Sequence, residues 1–440
     1  MSSAAATIDD LARRPSPAQT PLGDRPLRIL MPSYRSDPYT GGQGVYLRHL
    51  TKALADQGQE VTVVSGPPYP QLDSRVGLIK LLSLDLYSKP KNWFGVPSYP
   101  HQAVQDWIDV QEYWTHVFGG FGEPWSFGER FARFMQGRER EWDVVHDNQT
   151  LSYGMLRVQE MGVPFVGTLH HPITMDRRIA VEHADTVSLK LLTMRWYSFL
   201  RMQRKVCQRL KFMTVASENT KRDAARDFAV DPKKMEVIYL GIDAEQFRPI
   251  PGIERKTNRL MATASADVPL KGLVYLVRAY AKLLESYPDL ELTVVGRLRE
   301  GPTAKLLSQL GIIDRVRFVA GLSDDEIARL YAETTLAVAP SVYEGFGFPP
   351  AEAMACAVPV VATTGGSLPE IVGDAGVQVP VKDADALAAG IASLLDNPSR
   401  RSELGAKGRK RILDNFLWSR TASEITRVYR KTIADAHSQS

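Results

Sequence analysis

Two glutamates, two glycines and two adjacent prolines share one short stretch of this 440-residue chain: Ser341-Val342-Tyr343-Glu344-Gly345-Phe346-Gly347-Phe348-Pro349-Pro350-Ala351-Glu352-Ala353-Met354. Gly345 and Gly347 permit a tight turn. Pro349 and Pro350 suit the first turn of a helix, and the apolar run Leu336–Ala339 ahead of them reads as a buried strand. A strand, a tight turn and a helix start leave first-turn amides without intrahelical partners, which makes a seat for phosphate. Glu344 stands just before that turn, and Glu352 lies one to two turns into the helix. Two carboxylates would repel a bare phosphate. They make sense where the ligand also carries hydroxyls to be accepted, as a sugar and a ribose do. Either glutamate alone is also what a helix start takes as its dipole partner; the whole string is harder to explain that way.

Other polar residues sit where strands end. His170 and His171 follow the run Pro164–Leu169, and His146 and Asn148 follow Asp143-Val144-Val145. A histidine at a strand end makes a polar contact to a sugar hydroxyl without needing a metal, or serves as a satisfied structural group. Lys271-Gly272 opens a helix after a strand and loop, and Arg297 and Arg299 follow the strand Leu292–Val295. The only Asp-x-Asp string, Asp383-Ala384-Asp385, precedes a helix, where capping accounts for it without a metal. No Ser-His-Asp or Cys-His set suggests a hydrolase.

These residues need elements to hold them. Strand (Leu27–Met31), glycine loop (Thr40-Gly41-Gly42-Gln43-Gly44), helix (Val45–Gln57) and strand (Glu60–Ser65) open a parallel α/β sheet. Residues 66–141 break the rhythm with prolines and glycines and hold, together with Trp142, five of the seven tryptophans. The rhythm resumes with strands at 143–146, 164–170, 212–216 and 235–240, separated by a long basic, aromatic helical region from Thr174 to Lys211. After the turn Arg248-Pro249-Ile250-Pro251-Gly252 it restarts, with strands at 259–263, 291–295, 316–319, 336–339, 358–362 and 377–379. The expected organisation is therefore a tail (1–26), an amino-terminal Rossmann-like domain (27–248), a carboxy-terminal Rossmann-like domain (252–415) and a last helical segment (416–440) packing back on the first domain. Ligands of such sheets sit beyond the carboxyl ends of the strands, so a cleft between two facing domains is the expected site.

Composition narrows the class. Hydrophobic residues are 44% and charged residues 24% of the chain, which is ordinary globular usage. A net charge of +4 is too mild to argue for nucleic acid. Cys207 and Cys356 form no paired motif, which fits a reducing, cytoplasmic setting. No apolar run approaches the roughly 18 residues of a membrane span. The segment Leu189–Lys211 interleaves apolar residues with Lys190, Arg195, Arg201, Arg204, Lys205 and Arg209, a pattern that suits either an inward-packed helix or peripheral contact with an anionic membrane.

The Glu-x7-Glu string within EGFGFPPAEAMA, followed by Pro359-Val360-Val361-Ala362-Thr363-Thr364-Gly365-Gly366-Ser367-Leu368-Pro369-Glu370, closely resembles the retaining GT-B glycosyltransferases of family 4. The likeness runs from residue 27 onward, through the glycine loop, Ser217-Glu218 and Gly241–Pro249, and is loosest over 67–142. It implies an α/β GT-B fold, two Rossmann-like doubly wound domains facing across a cleft. It also implies a metal-independent transferase moving a sugar from a nucleotide-diphosphate sugar, bound mainly by the second domain, to an acceptor hydroxyl. By that resemblance Glu344 holds donor-sugar hydroxyls and Glu352 accepts from the nucleotide ribose. Backbone amides at Phe346, Gly347, Phe348 and Gly42 hold the diphosphate, and the base lies near residues 319–321. His170 contacts the transferred sugar with His171 beside it, and His146 and Asn148 line the acceptor side. Lys271 neutralises the leaving diphosphate. The family pairs this lysine with an arginine six residues earlier, where this chain has Ser265. A unit charge about 4 Å from a phosphate is worth roughly 4 kcal/mol at an effective dielectric of 20, so the resemblance calls for a replacement, and Arg297 is the candidate. No cofactor and no metal are expected beyond the nucleotide sugar. The acceptor is a glycan, a lipid or a small metabolite. A binding protein with impaired catalysis, motivated by Ser265, and a sugar-nucleotide epimerase of similar architecture are the alternatives.

Overall fold

The computed structural model describes residues 25–37, 42–86, 104–264 and 268–438. The tail expected over 1–26 lies outside these residues except for Arg25 and Pro26. Arg25 is not loose: its guanidinium donates twice to the Asp143 carboxylate, each at 2.9 Å. Although burial opposes ionisation of Asp143, hydrogen bonds from Arg25 and Arg28 hold its carboxyl down to about 2.

The chain forms two compact units. The first comprises residues up to Ala216, Lys221–Ile238 and Thr421–Ser440; the second comprises Ser217–Thr220 and Tyr239–Arg420. The first crossing into the second unit thus comes at Ser217, and residues 239–248, expected with the first domain, belong to the second.

In the first unit a seven-stranded parallel sheet contains β1 (Arg28–Ser33), β2 (Glu60–Ser65), β3 (Gly77–Lys80), β4 (Val144–Asn148), β5 (Phe165–Leu169), β6 (Met213–Val215) and β7 (Met235–Val237). Their order is β3-β2-β1-β4-β5-β6-β7. Leu30, Val145, Phe165, Met213 and Val215 lie in its core with Phe127, Phe131 and Met155 from the covering helices. The last helix, Trp418–Ser438, serves this unit from Thr421 on. Its stripe Ala422, Ile425, Tyr429 and Ile433 is buried, at the spacing an amphipathic helix uses to cover a sheet.

The second unit holds a six-stranded parallel sheet of β8 (Arg259–Thr263), β9 (Glu291–Val295), β10 (Val316–Val319), β11 (Leu336–Ala339), β12 (Val360–Thr363) and β13 (Val377–Val379), in the order β10-β9-β8-β11-β12-β13. Every residue of β11 and β12 is buried, as strands covered on both faces must be.

In each sheet the strand order reverses once, between β1 and β4 in the first and between β8 and β11 in the second. Loops leaving strands at such a point diverge and open a crevice for ligands. Asn148 ends β4 and Gly42 follows β1; Lys271 follows β8 and Glu344 follows β11. Of the residues singled out by chemistry, Asn148 and Gly42 thus stand at the reversal of the first sheet, and Lys271 and Glu344 at that of the second.

Candidate active site

In the second unit, Lys271 and Glu344 form an ion pair, Nζ to Oε1, at 2.7 Å. Lys271 does not open a helix as its spacing suggested. It closes a single 3-10 turn, Pro269–Lys271, and the helix begins at Leu273. Gly272 between them has φ 64, and a Cβ there would lie 2.0 Å from the Pro340 carbonyl oxygen. Only glycine allows this close approach to the end of β11. The Val342 amide donates to the Leu270 carbonyl at 2.8 Å and completes the junction.

Glu344 is oriented further by Ser341, whose Oγ donates to the same carboxylate oxygen at 2.7 Å. The backbone of the turn is pinned by the strand-end loop that follows β12. Ser367 donates from its amide (3.0 Å) and its hydroxyl (3.1 Å) to the Glu344 carbonyl, and the hydroxyl also reaches the Phe346 carbonyl at 2.6 Å. Gly366, φ 63, packs so that a Cβ would fall 2.2 Å from the Glu344 carbonyl oxygen. The carboxylate therefore stands on a rigid turn beside a cation.

The helix after this turn runs Phe348–Ala355. Its first turn supplies less than expected, because Pro349 and Pro350 carry no N–H. The amides available for an anion are those of Phe346, Gly347 and Phe348. Among the described residues nothing accepts from these three, which is the state of donors kept for a ligand. The Phe346 side chain is buried, its ring edge-on to Phe348 at 5.2 Å.

Glu352, within the helix, lies beside the buried hydroxyl of Tyr331, which donates to the Pro349 carbonyl at 3.0 Å. Burial, reinforced by the Asp324 carboxylate, pushes the Glu352 carboxyl up to about 8. It is a neutral acid at pH 7 until something that stabilises its anion arrives. Tyr331 had no signal in the sequence, because the fold alone brings it to Glu352.

Arg297 is exposed, and no hydrogen bond or ion pair among the described residues holds it; Arg299 is exposed as well. Ser265 lies outside the described residues. The Asp-x-Asp string is structural: Asp383 caps the helix Ala384–Leu395 by accepting from the Ala386 amide at 2.9 Å, and Asp385 pairs with Lys282. Among the described residues no three His, Cys, Asp or Glu side chains gather in a metal-binding group.

In the first unit, Asn148 is fully buried. Its amide nitrogen donates to Ser33 Oγ at 3.1 Å and to the Gln43 carbonyl at 3.2 Å, and its Oδ1 accepts from His170 Nε2 at 2.8 Å. One side chain thus ties the end of β1, the start of the helix Gly42–Asp56 and the histidine after β5. Gly42 is the exposed first residue of that helix. Gln149, held at φ 56, accepts through Oε1 from the amides of His170 and His171. A left-handed glutamine is costly, and such strain gathers at functional sites. Burial lowers the His170 imidazole to about 3, with the neighbouring histidines acting in the same direction, and the Tyr46 ring lies edge-on to it at 4.6 Å. His171 instead pairs through Nε2 with Asp176 at 3.1 Å.

His146 and Asn148 lie inside β4 rather than after it. His146 is fully buried with both ring nitrogens engaged, Nδ1 with the Tyr429 hydroxyl and Nε2 with Thr168 Oγ1, and burial lowers it to about 3. Its place in this structure is the seam between the sheet and the last helix, with no surface to offer an acceptor. Asn148 acts on the site from behind His170.

The sequence family described as Glycosyltransferase Family 4 matches residues 40–246, and the family described as Glycosyl transferases group 1 matches residues 244–411. The chain is 45% identical to the MMP alpha-(1->4)-mannosyltransferase of Mycolicibacterium hassiacum, over 93% of this chain and 99% of that protein. It is a GT-B glycosyltransferase of family 4. A D-inositol 3-phosphate glycosyltransferase of Thermobispora bispora is 30% identical over 90% of this chain and 91% of its own length. Among solved structures, a sucrose-phosphate synthase of Thermosynechococcus elongatus superposes with a TM-score of 0.69 at 22% identity, covering 93% of this glycosyltransferase and all of that chain. Anabaena Alr3699/HepE, solved in complex with UDP and glucose, superposes with a TM-score of 0.67 at 18% identity, over 92% of this chain and all of that one. The structural likenesses establish the GT-B fold. No helix among the described residues is long and apolar enough to cross a membrane.

Proposed function

We propose that this glycosyltransferase transfers mannose, with retention of configuration and without a metal, from a nucleotide-diphosphate mannose to a sugar hydroxyl. The observation that carries the reading is the 45% identity, over almost the whole of both chains, to an enzyme named for making an alpha-(1->4) mannosidic bond. By that likeness the acceptor hydroxyl is the 4-hydroxyl of a carbohydrate chain.

The site supplies the chemistry this requires. The amides of Phe346, Gly347 and Phe348 receive the diphosphate, and Lys271 stabilises the charge that grows on it as the glycosidic bond breaks. Glu344 accepts from sugar hydroxyls and so positions the ring. Glu352 accepts from the ribose. The neutral His170 contacts the sugar. The acceptor attacks from the face that the nucleotide leaves and its proton passes to the departing phosphate, so no separate general base is needed. Arg297 supplies the second cation that Ser265 does not.

The test is incubation with GDP-, UDP- and ADP-mannose, with and without a manno-oligosaccharide, in the presence of a chelator. The reading predicts acceptor-dependent release of one nucleoside diphosphate that the chelator does not slow. Interconversion of the donor sugar without acceptor would make the chain an epimerase, and tight nucleotide binding without turnover would make it a binding protein.

A further inference from the structure

The helix Val187–Trp196 of the first unit contains no buried residue, although six of its ten residues are large and apolar. At 100° per residue these fall on two opposite faces. Leu189, Leu192 and Trp196 share one face, which leans on the turn after the helix Trp107–Val117. The Trp196 ring stacks on Phe121 at 5.3 Å, a Cβ on Gly119 would meet Leu192 Cδ1, and Arg195 Nε donates to the Phe118 carbonyl at 3.4 Å. Val187, Leu191 and Met194 share the opposite face and are 74%, 61% and 53% exposed. Their spacing of four and then three residues is that of a helix–helix seam.

Trp114 and Phe118, stacked on one another and 49% and 64% exposed, belong to the turn side of the helix rather than to this seam. The charges around the seam are polarised along it. Glu182 and Asp185 precede the helix; Arg195 and Arg201 lie at and beyond its end, with Lys190 between.

We propose that this face is the contact between two copies of the chain, joined about a two-fold axis that runs the two Val187–Trp196 helices antiparallel. Such an axis lays the Val187–Leu191–Met194 seam on itself. It brings Glu182 and Asp185 of one copy toward Arg195 and Arg201 of the other, and opposes the two helix dipoles. An anionic membrane fits less well. The two acids before the helix offset two of the three cations Lys190, Arg195 and Arg201, so the face keeps a net charge of only one and lacks the cluster of cations that draws such a helix onto lipid.

The experiment is sedimentation equilibrium of the full chain over a range of concentrations, with vesicle flotation alongside. The expected wild-type mass is twice 49.0 kDa. Leu191→Glu, at an exposed position that leaves thermal unfolding unchanged, gives 49.0 kDa. Arg195→Glu and Asp185→Arg each weaken the dimer about tenfold or more, as expected for loss of an interfacial charge pair, and the double variant restores it. A wild-type chain that stays monomeric up to about 100 μM, or a dimer indifferent to Leu191→Glu, overturns the proposal. So does a monomer that floats with phosphatidylglycerol vesicles and loses that binding in Leu191→Glu, which would give the face to a membrane.

Discussion

Asn148 Oδ1 accepts from His170 Nε2 at 2.8 Å while the nitrogen of the same amide donates to the Gln43 carbonyl. A carbonyl oxygen only accepts, so the Gln43 contact decides which end of the amide is nitrogen. His170 Nε2 must then carry the proton, and a neutral ring leaves Nδ1 as its basic nitrogen. The buried asparagine thus selects both the tautomer and the orientation of His170.

Asn148→Asp puts an anion where the amide oxygen was and stabilises the imidazolium. The ionisation of His170, held at about 3 in the native protein, should rise by about 2 units or more. An NMR titration of the ring protons reads this directly. A His170 that stays unprotonated above pH 4 in this variant would separate it from Asn148.

Lys271→Ala should weaken a nucleoside diphosphate roughly 10- to 100-fold, the loss expected for one charged hydrogen bond, and leave the free nucleoside almost unaffected. Equal losses would contradict a phosphate contact. Because Glu344 holds Lys271 in the unliganded protein, Glu344→Gln should bind the diphosphate at least as tightly as wild type while transfer falls about 100-fold or more, the cost of a polar contact made to the reacting sugar. Unchanged turnover would remove Glu344 from the site.

On the proposed reading, Glu352 gives up a proton to solvent when the nucleotide binds. Its carboxyl is pushed up to about 8 in the unliganded protein, and ribose hydroxyls that donate to it favour the anion. Nucleotide binding at pH 7 should therefore release close to one proton. Calorimetry in two buffers of different ionisation enthalpy measures the release, and Glu352→Gln should abolish it. A wild-type protein that releases none would sever Glu352 from the ribose.

Stability should peak on the acid side of neutrality. Glu123 and Glu352 stand at about 8 against 4.5 unfolded, so the folded chain holds protons that the unfolded chain sheds, and stability rises as pH falls from 8. His146 and His170 stand at about 3 against 6.5 unfolded, so below 6.5 the unfolded chain gains protons that the folded chain refuses. Each such group contributes about 1.4 kcal/mol per pH unit. The two pairs offset one another between 6.5 and 4.5; below 4.5 the two histidines outweigh Asp147, which burial raises to about 6, and below 3.8 Asp143 and Asp227, both held down at about 2, add to the fall. Urea midpoints against pH measure the curve; a maximum at pH 8 or above would contradict it.

Much of this frame was legible in advance. The strands at 259–263, 291–295, 316–319, 336–339 and 377–379 stand in the structure at those limits, because short buried strands of a parallel sheet read as apolar runs between turn residues. The strand Gly77–Lys80 was missed. It is a four-residue edge strand with a single buried residue, Ile79, and no alternation to see. The helices Trp107–Val117 and Glu123–Met135 were hidden in the tryptophan-rich stretch. The expected helical region from 174 divides at His183–Thr186, where Thr186 caps a new helix by accepting from the Leu189 amide. At the site, the local string around Glu344 carried its own signal. The pairing of Glu344 with Lys271, the hydroxyl of Tyr331 beside Glu352 and the burial of His146 come from residues far apart in sequence, and only the folded sheet reveals them.

The most direct test of the account is the NMR spectrum of the product formed from a nucleotide-diphosphate α-mannose and a manno-oligosaccharide in the presence of a chelator. The account predicts a new α-mannosidic linkage to the acceptor's 4-hydroxyl, formed as fast with chelator as without it. A β-linked product, or donor hydrolysis with the acceptor untouched, would contradict it.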